Sequence, residues 1–361
     1  MGYFIALSFD EGSQRYFVPT PLRQWSPGIP VSAPIRTGIT FAPSVARALA
    51  AGLLFSASAS RLPQPRSWSV RSQVLAYCSK GRLEALERAA ARFLDVIQCL
   101  AEGLSESVLQ QAPLKLGLLS PQLPRKERVW IGSGHSMGRS SWICPEARHY
   151  ERLAGDLIDF FNDGTRHDAS AMGKLHFQFT SLHPLKDGNG RMARALVSAY
   201  VLRATGSLVL SAAASYVMVR WRHSIAKHQL AARGGNPAPL FRLWPRLLEA
   251  SEEIARVSRQ NVLDLGSMGF ELDDILPCMA SPVVRIEHGQ STDELHPLLH
   301  RRCAKVEGGW LYESRPFATL FKDLHCRRKL EPRARASTST RPVGHFETPT
   351  IEPDYPYWPC A

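Results

Sequence analysis

The residues best suited to chemistry lie together in "HPLKDGNGRMAR", residues 183–194. His183 has an ordinary pKa of about 6.5, so a neutral imidazole is available to accept a proton. Asp187 follows four residues later, and after a Gly-Asn-Gly turn come Arg191 and Arg194, one helical turn apart. A base, a carboxylate, a glycine turn and two cations at this spacing indicate chemistry on a phosphate-containing ligand.

Two apolar helices must position this segment, because it lies between them and opens the second. The stretch "DASAMGKLHFQFTSL" predicts the first helix, which should end before Pro184, since proline disfavours the helical conformation in the preceding residue. The second helix should begin near Gly190, and its N-terminus offers unpaired N–H groups with a partial positive charge of roughly +0.5. Gly188 and Gly190 let a ligand approach the backbone closely, so we predict an anion site sized for a polyphosphate.

Asp187 would be repelled by a bound phosphate unless a hard cation lay between them, so its position predicts Mg²⁺. A simpler role, capping the following helix, is compatible with metal binding. His183 could likewise only end a helix and pack on Pro184, but its neighbours favour a catalytic base. We interpret His176, on the preceding helix, as a structural core histidine.

Two further elements flank the motif. Apolar residues at three- and four-residue steps predict one helix over residues 82–112, which Pro113 should stop. Two short β-prone runs around Trp130 and Trp142 enclose a Gly/Ser-rich turn, which predicts a hairpin over residues 129–143. We interpret both tryptophans as packing residues of this hairpin.

The motif resembles the signature of the Fic (Fido) family, His-Pro-Phe-x-Asp/Glu-Gly-Asn-Gly-Arg-x-x-Arg, with Leu185 in place of Phe. "LHFQFTSLHPL" is similar to the family's preceding helix, and "RVWIGSG" to the first strand of its hairpin flap. "YFVPTPL" is similar to a segment of the subgroup with an N-terminal helical region. The resemblance implies a mostly α fold, a Fic-type helical core with a short β-hairpin flap. It also implies transfer of AMP from Mg-ATP to a Ser, Thr or Tyr hydroxyl of a protein.

The same resemblance implies a role for each matched residue. His183 would be the catalytic general base, and Asp187 would hold Mg²⁺ on the ATP phosphates. The flap, residues 129–143, would hold the target chain as an added strand. Within the motif, the Asn189 side chain would contact the α-phosphate, Arg191 the β-phosphate side and Arg194 the γ-phosphate. The cofactor-binding set would be Asp187, Gly188, Asn189, Gly190, Arg191, Met192, Ala193 and Arg194.

Three positions depart from the family pattern. Leu185 keeps the bulk of Phe and should only soften packing. Family members often carry a Tyr-Tyr pair near the nucleotide base, but here Ile225-Ala226-Lys227 stands there, with Trp221 as the nearby aromatic residue. The subgroup's inhibitory Ser/Thr-x-x-x-Glu-Gly/Asn motif is absent from the sequence, and Glu84 in "YCSKGRLEAL" is the nearest candidate. Either autoinhibition is lost or the N-terminal region has drifted, and we expect a constitutively active protein. The altered pocket after residue 220 leaves a nucleotide-binding pseudoenzyme as an alternative.

Composition divides the chain into four predicted regions. They are a Pro-rich and helical region over 1–112, the Fic domain over 113–250, a helical segment over 251–325 and a basic, Pro-rich, disordered tail over 326–361.

The net charge of +12 suggests affinity for polyanions. The pattern over residues 270–325 allows a winged helix, so a DNA-binding regulator that uses this C-terminal region is a second alternative. We expect no membrane association and a cytoplasmic location, since the sequence has no long apolar run and no secretion signal. Seven scattered cysteines without a Cys-x-x-Cys pair predict reduced thiols, and they argue against a zinc ribbon or a thioredoxin-type motif.

Overall fold

The computed structural model describes residues 2–9, 12–25, 34–35, 39–59, 82–118, 124–131, 142–164, 167–287, 298–306 and 309–321. Within these ranges the chain forms eleven α-helices and two small sheets, so the predicted mostly helical fold is confirmed. The helices are α1 (Pro43–Ala59), α2 (Arg82–Glu102), α3 (Glu106–Lys115), α4 (Tyr150–Asn162), α5 (Ala169–Leu182), α6 (Asn189–Thr205), α7 (Leu208–Arg220), α8 (Arg222–Arg233), α9 (Ala238–Ser267), α10 (Leu272–Ala280) and α11 (Arg315–Phe321).

The predicted flap belongs to a larger sheet than the sequence indicates. Its four strands are β1 (Gly2–Phe9), β2 (Gly12–Pro19), β3 (Trp130–Ile131) and β4 (Trp142–Ile143), in the order β1-β2-β4-β3. Strands β3 and β4 form the expected antiparallel hairpin, with Trp130 opposite Ile143. The N-terminal hairpin β1-β2 joins it because Tyr16 on β2 pairs in parallel with Ile143. The flap loop, residues 132–141, lies outside the described residues.

The single helix predicted over residues 82–112 is wrong, because α2 ends at Glu102 and α3 begins at Glu106. Gly103 is a poor helix former, and Ser105 caps α3 by accepting a hydrogen bond from the Val108 N–H at 3.2 Å. Pro113 does not stop this helix but lies inside it. Proline removes only its own N–H bond, and the buried side of α3 holds the remaining turn in place.

Helices α5 and α6, which flank the motif, are the centre of the core. Twelve of the fourteen residues of α5 are buried, so this helix has neighbours on nearly every side. Helix α6 packs against α2, α5 and α7. Ala195, Leu196 and Ala199 on this helix are fully buried. The loop between two such helices cannot shift without disturbing the core.

A second small sheet follows the helical core. Strands β5 (Val283–Glu287), β6 (Leu299–Val306) and β7 (Gly309–Ser314) are antiparallel, in the order β5-β7-β6. The sheet comes after α9 and α10, and the winged helix over residues 270–325 stays a prediction. The predicted tail, residues 326–361, lies outside the described residues. Over the described ranges, no helix has both the length and the apolar character needed to cross a membrane.

Candidate active site

The motif loop begins with an unusual backbone conformation at His183. Helix α5 ends at Leu182, and His183 has φ 48° and ψ 56°, in the left-handed region. Among the described residues, it is the one non-glycine residue with positive φ. Its N–H still donates to the Phe179 carbonyl at 3.0 Å, which closes the helix. A left-handed conformation costs a non-glycine residue about 1–2 kcal/mol, so surrounding contacts must hold it in place.

The surroundings of His183 keep its imidazole neutral at pH 7. Burial lowers the pKa of His183 to about 4, and the positive charges of Arg125 and Arg233 act in the same direction. The hydrogen bond to the Thr180 carbonyl and the charge of Asp187 oppose this shift. The imidazole Nδ1 lies 3.4 Å from that carbonyl oxygen, which can only accept. Nδ1 therefore carries the proton in this contact, and Nε2 presents its lone pair.

His176, on the same helix, has a different environment. Its Nδ1 pairs with the Gln229 amide nitrogen at 2.7 Å, and its ring packs against Trp244. Burial lowers the pKa of His176 to about 3. These contacts are within the core, as predicted for a structural histidine.

The Asn189 side chain holds the loop closed. Its amide oxygen accepts the Leu185 N–H at 3.0 Å, and its amide nitrogen donates to the Leu185 carbonyl at 2.7 Å. Leu185 itself is fully buried, so the residue that replaces Phe fills a core position. Both polar ends of the Asn189 amide thus stabilise the loop, and its contact with an α-phosphate stays a prediction.

The two glycines of the motif, Gly188 and Gly190, differ in backbone conformation and in the space around them. Gly188 has φ 87°, and a Cβ there would lie 2.4 Å from Leu118 Cδ1. Gly190 is exposed and has an ordinary helical conformation, and a Cβ there would meet only Arg194 Nη1, at 3.6 Å. The fold therefore requires glycine at 188 but not at 190. At 190 the missing side chain leaves the start of α6 open to a ligand.

Asp187 stands beside this open helix end. One carboxylate oxygen accepts the Gly188 N–H at 2.6 Å, and the other pairs with Arg191 at 3.1 Å. The side chain is 70% exposed, so a hydrated cation can reach it. Mg²⁺ is commonly held by one or two carboxylates together with substrate phosphates. A solvent-facing carboxylate next to a helix N-terminus fits that ion. The N-cap of α6 is Gly188, without a side-chain capping bond, so Asp187 holds the turn before the helix and does not cap the helix itself.

The segment around this loop also matches a known family by sequence. Residues 104–201 match the sequence model described as the Fic/DOC family. This segment is a Fic/DOC domain. It extends from the residues just before α3 to the last turns of α6 and contains the whole motif. The sequence matches no curated protein.

Two Fic proteins are among the solved structures that are similar to the chain. One is a Fic family protein from Desulfovibrio desulfuricans G20, with 15% identity and a TM-score of 0.42, covering 75% of this chain and 86% of that one. The other is Fic-1 (residues 134–508) from C. elegans, with 16% identity and a TM-score of 0.40, covering 62% of this chain and 68% of that one.

Two residues that we assigned to the nucleotide site have no side chain in it. Met192 and Ala193 are fully buried in the core beneath the Fic motif. The Met192 N–H is already used, since it donates to the Gly188 carbonyl at 2.9 Å as the first bond of the helix. The unpaired N–H groups of a helix start belong to the residues before that bond, here 189–191. The side chains of Met192 and Ala193 therefore face the core, and their assignment to the cofactor-binding set stays a prediction.

The region that departs from the usual Fic base pocket is part of α8. Ile225 is buried, whereas Ala226 and Lys227 are exposed. Trp221 is buried at the start of this helix, so its ring is not available for stacking on a ligand. The aromatic platform that the family often supplies has no counterpart at these three positions.

Sequence reasoning missed Arg125, which the structure places next to the motif. It lies in "PRKERVW", where three other basic or acidic residues surround it. Arg125 is buried, while Lys126, Glu127 and Arg128 are exposed. The sequence carries no periodic signal in this stretch that would separate the buried cation from its neighbours.

Proposed function

We propose that the chain is a protein adenylyltransferase that transfers AMP from Mg-ATP to a Ser, Thr or Tyr hydroxyl of a target protein. Proteins of the Fic/DOC family often transfer AMP or another nucleoside monophosphate, which makes a transferase the expected class. The observation that carries the proposal is the position of His183. A neutral imidazole stands one short loop away from a helix start that is open at Gly190 and lined by Arg191 and Arg194.

In the proposed reaction, the target hydroxyl oxygen forms a bond to the α-phosphorus of ATP. The bond from that phosphorus to the pyrophosphate oxygen breaks, and pyrophosphate leaves with the electron pair. His183 takes the hydroxyl proton on Nε2, as its neutral state at pH 7 allows. The N–H groups of residues 189–191 and the side chains of Arg191 and Arg194 bind the phosphate oxygens. Mg²⁺ held by Asp187 would neutralise part of the phosphate charge.

The target would bind at the flap, along β3, the outer strand of the described sheet. In the described sheet, β2 covers one side of β4, and β3 is the outer strand on the other side. A target segment that adds to β3 would form main-chain hydrogen bonds there. The base of the flap contacts the motif loop through Arg125, which supports a target site close to His183.

The test is to incubate the purified chain with ATP labelled at the α-phosphate and with a cell lysate. We expect labelled protein with wild type and at least a hundredfold less with His183→Ala, because loss of a general base typically costs about 10²–10⁴-fold in rate. ATP binding, measured by calorimetry, should be nearly unchanged in the variant, since a base acts in the transition state.

The same experiment separates the alternatives. Binding of ATP by wild type without label transfer to any protein would indicate a pseudoenzyme. Binding of duplex DNA with a steep salt dependence, and no ATP binding, would indicate a regulator acting through its C-terminal region. Either result would contradict the adenylyltransferase proposal.

A further inference from the structure

Arg125 connects three separate segments of the Fic domain. Its Nε–H donates to the His183 carbonyl at 2.7 Å. Its two terminal nitrogens donate to the carbonyls of Glu127 and Pro145, each at 2.6 Å. Its backbone N–H donates to the Pro184 carbonyl at 2.8 Å. One residue is therefore bonded to the motif loop twice and to both ends of the flap hairpin once each.

Burying the charged guanidinium of Arg125 costs free energy. Arg125 is 5% exposed, and all its described hydrogen bonds are to carbonyl oxygens. Burial lowers its pKa, and the one group that opposes this shift is the thiol of Cys144. Burial raises the pKa of Cys144 to about 12, so this thiol is neutral at pH 7. A buried cation without a carboxylate partner costs several kcal/mol unless its hydrogen bonds are well made.

Only a guanidinium fits the three carbonyls together. It is planar and offers its donors in a fixed fork, so it can reach three acceptors in different directions at once. Lysine has a single ammonium on a flexible stem and cannot reproduce that arrangement. The identity of the side chain, and not only its charge, is therefore what joins the loop to the flap.

The bonds to the loop act where the backbone is strained. His183 is in the left-handed conformation, and Arg125 holds the carbonyl of that residue and the carbonyl of the next one. Without these bonds the loop can relax toward the ordinary regions of φ and ψ, which would turn the imidazole away. The bonds from Arg125 to the Glu127 and Pro145 carbonyls fix the base of the flap relative to the motif loop.

We propose that Arg125 is the positioning residue of His183, and that it fixes the imidazole relative to the flap on which the target binds. The kinetic part of this inference rests on the proposed function. The link between the flap base and the loop backbone does not, and it can be measured without any transfer activity.

The decisive comparison is Arg125→Lys against Arg128→Lys. Arg128 lies at the same hairpin base and joins it through an ion pair with Glu146, but its side chain is exposed and bonds no residue of the motif loop. We expect Arg125→Lys to lower kcat for transfer at least tenfold, with KM for ATP changed less than twofold. Arg128→Lys should remain close to wild type in both.

Hydrogen exchange is the second measurement. At a temperature where both variants stay folded, the amides of residues 183–190 should exchange faster in Arg125→Lys than in wild type. In Arg128→Lys their exchange rates should equal those of wild type. Ethylguanidinium added to Arg125→Gly should restore the slow exchange, and ethylammonium should not. A merely structural role would change global stability without this chemical specificity.

Two results would overturn the inference. One is an equal loss of kcat in both lysine variants. The other is faster exchange confined to the hairpin, with residues 183–190 unaffected. If wild type transfers no AMP at all, the proposed function fails, and the exchange data still decide whether Arg125 positions His183.

Discussion

The loop between α5 and α6 and the first turn of α6 are neighbours in sequence, and each has a buried part and an exposed part. Leu185 and Gly188 in the loop and Asn189 in the first turn are buried and held by core or backbone contacts. Asp187 in the loop and Gly190 in the first turn face solvent. A single twelve-residue motif therefore contains residues that shape the site and residues that are free to contact a ligand. Changes in the first group should damage the fold, and changes in the second should damage only ligand binding.

The largest effect on stability should come from Gly188→Ala. The new methyl would lie 2.4 Å from Leu118 Cδ1 at a φ of 87°. The matched control is Gly206→Ala at the other end of α6, where φ is 66° but no atom lies within 4 Å of the added Cβ. Gly206→Ala should cost the strain alone, about 1 kcal/mol.

Gly188→Ala should cost about 1–3 kcal/mol more, because overpacking adds to the strain. Denaturant unfolding of both variants measures the difference. Equal losses of unfolding free energy in the two variants would mean that Leu118 moves aside freely. The buried residues of the motif would then be less rigidly packed than the structure indicates.

The next effect should be a loss of ATP binding without a loss of stability, in Gly190→Ala. Alanine is the better helix former by about 0.5–1 kcal/mol, and its Cβ makes only an ordinary contact with Arg194. If a phosphate binds at this helix end, the methyl blocks its approach, and ATP affinity should fall at least tenfold.

Gly155→Ala in α4 is the control for this change, because it is also exposed within a helix and its added Cβ meets nothing within 4 Å. It should gain stability and keep wild-type ATP affinity. Wild-type affinity in Gly190→Ala as well would place the phosphates elsewhere.

The sequence predicts the elements around the site better than it predicts the contacts between distant segments. Helix periodicity and the proline rule located α5, α6 and the loop, and the β-prone runs located the flap strands. Burial of Met192 follows from the same periodicity, but burial of Ala193 does not, because α6 is buried on nearly every side. The position of Arg125 and the pairing of Tyr16 with Ile143 depend on segments far apart in the chain, and no local pattern encodes such contacts.

A smaller effect should separate the two roles of Asp187. Asp187→Asn keeps an oxygen that can accept the Gly188 N–H, but it removes the charge that a metal ion requires. We expect both Asp187→Asn and Asp187→Ala to raise the Mg²⁺ concentration needed for half-maximal transfer, by about tenfold or more. If Asp187 only accepts the Gly188 N–H, Asn should behave as wild type, and Ala alone should lose about 0.5–1.5 kcal/mol of stability.

The smallest effect should come from Glu84, the nearest candidate for an inhibitory carboxylate. Its side chain is 64% exposed and pairs with Arg88 one turn along α2, at 3.7 Å. Such an exposed pair contributes little, so Glu84 has no strong partner within its own helix. Among the described residues, the ion-pair partner of Glu84 is Arg88 and not Arg194. We expect Glu84→Gly to change the rate of auto-modification less than twofold, and Glu84→Gln, which keeps helix propensity, should behave the same.

A tenfold or greater rise in both variants, equivalent to about 1.4 kcal/mol, would contradict this expectation. It would mean that the Glu84 carboxylate, on α2, pairs with Arg194 in solution and blocks the phosphate site at the start of α6.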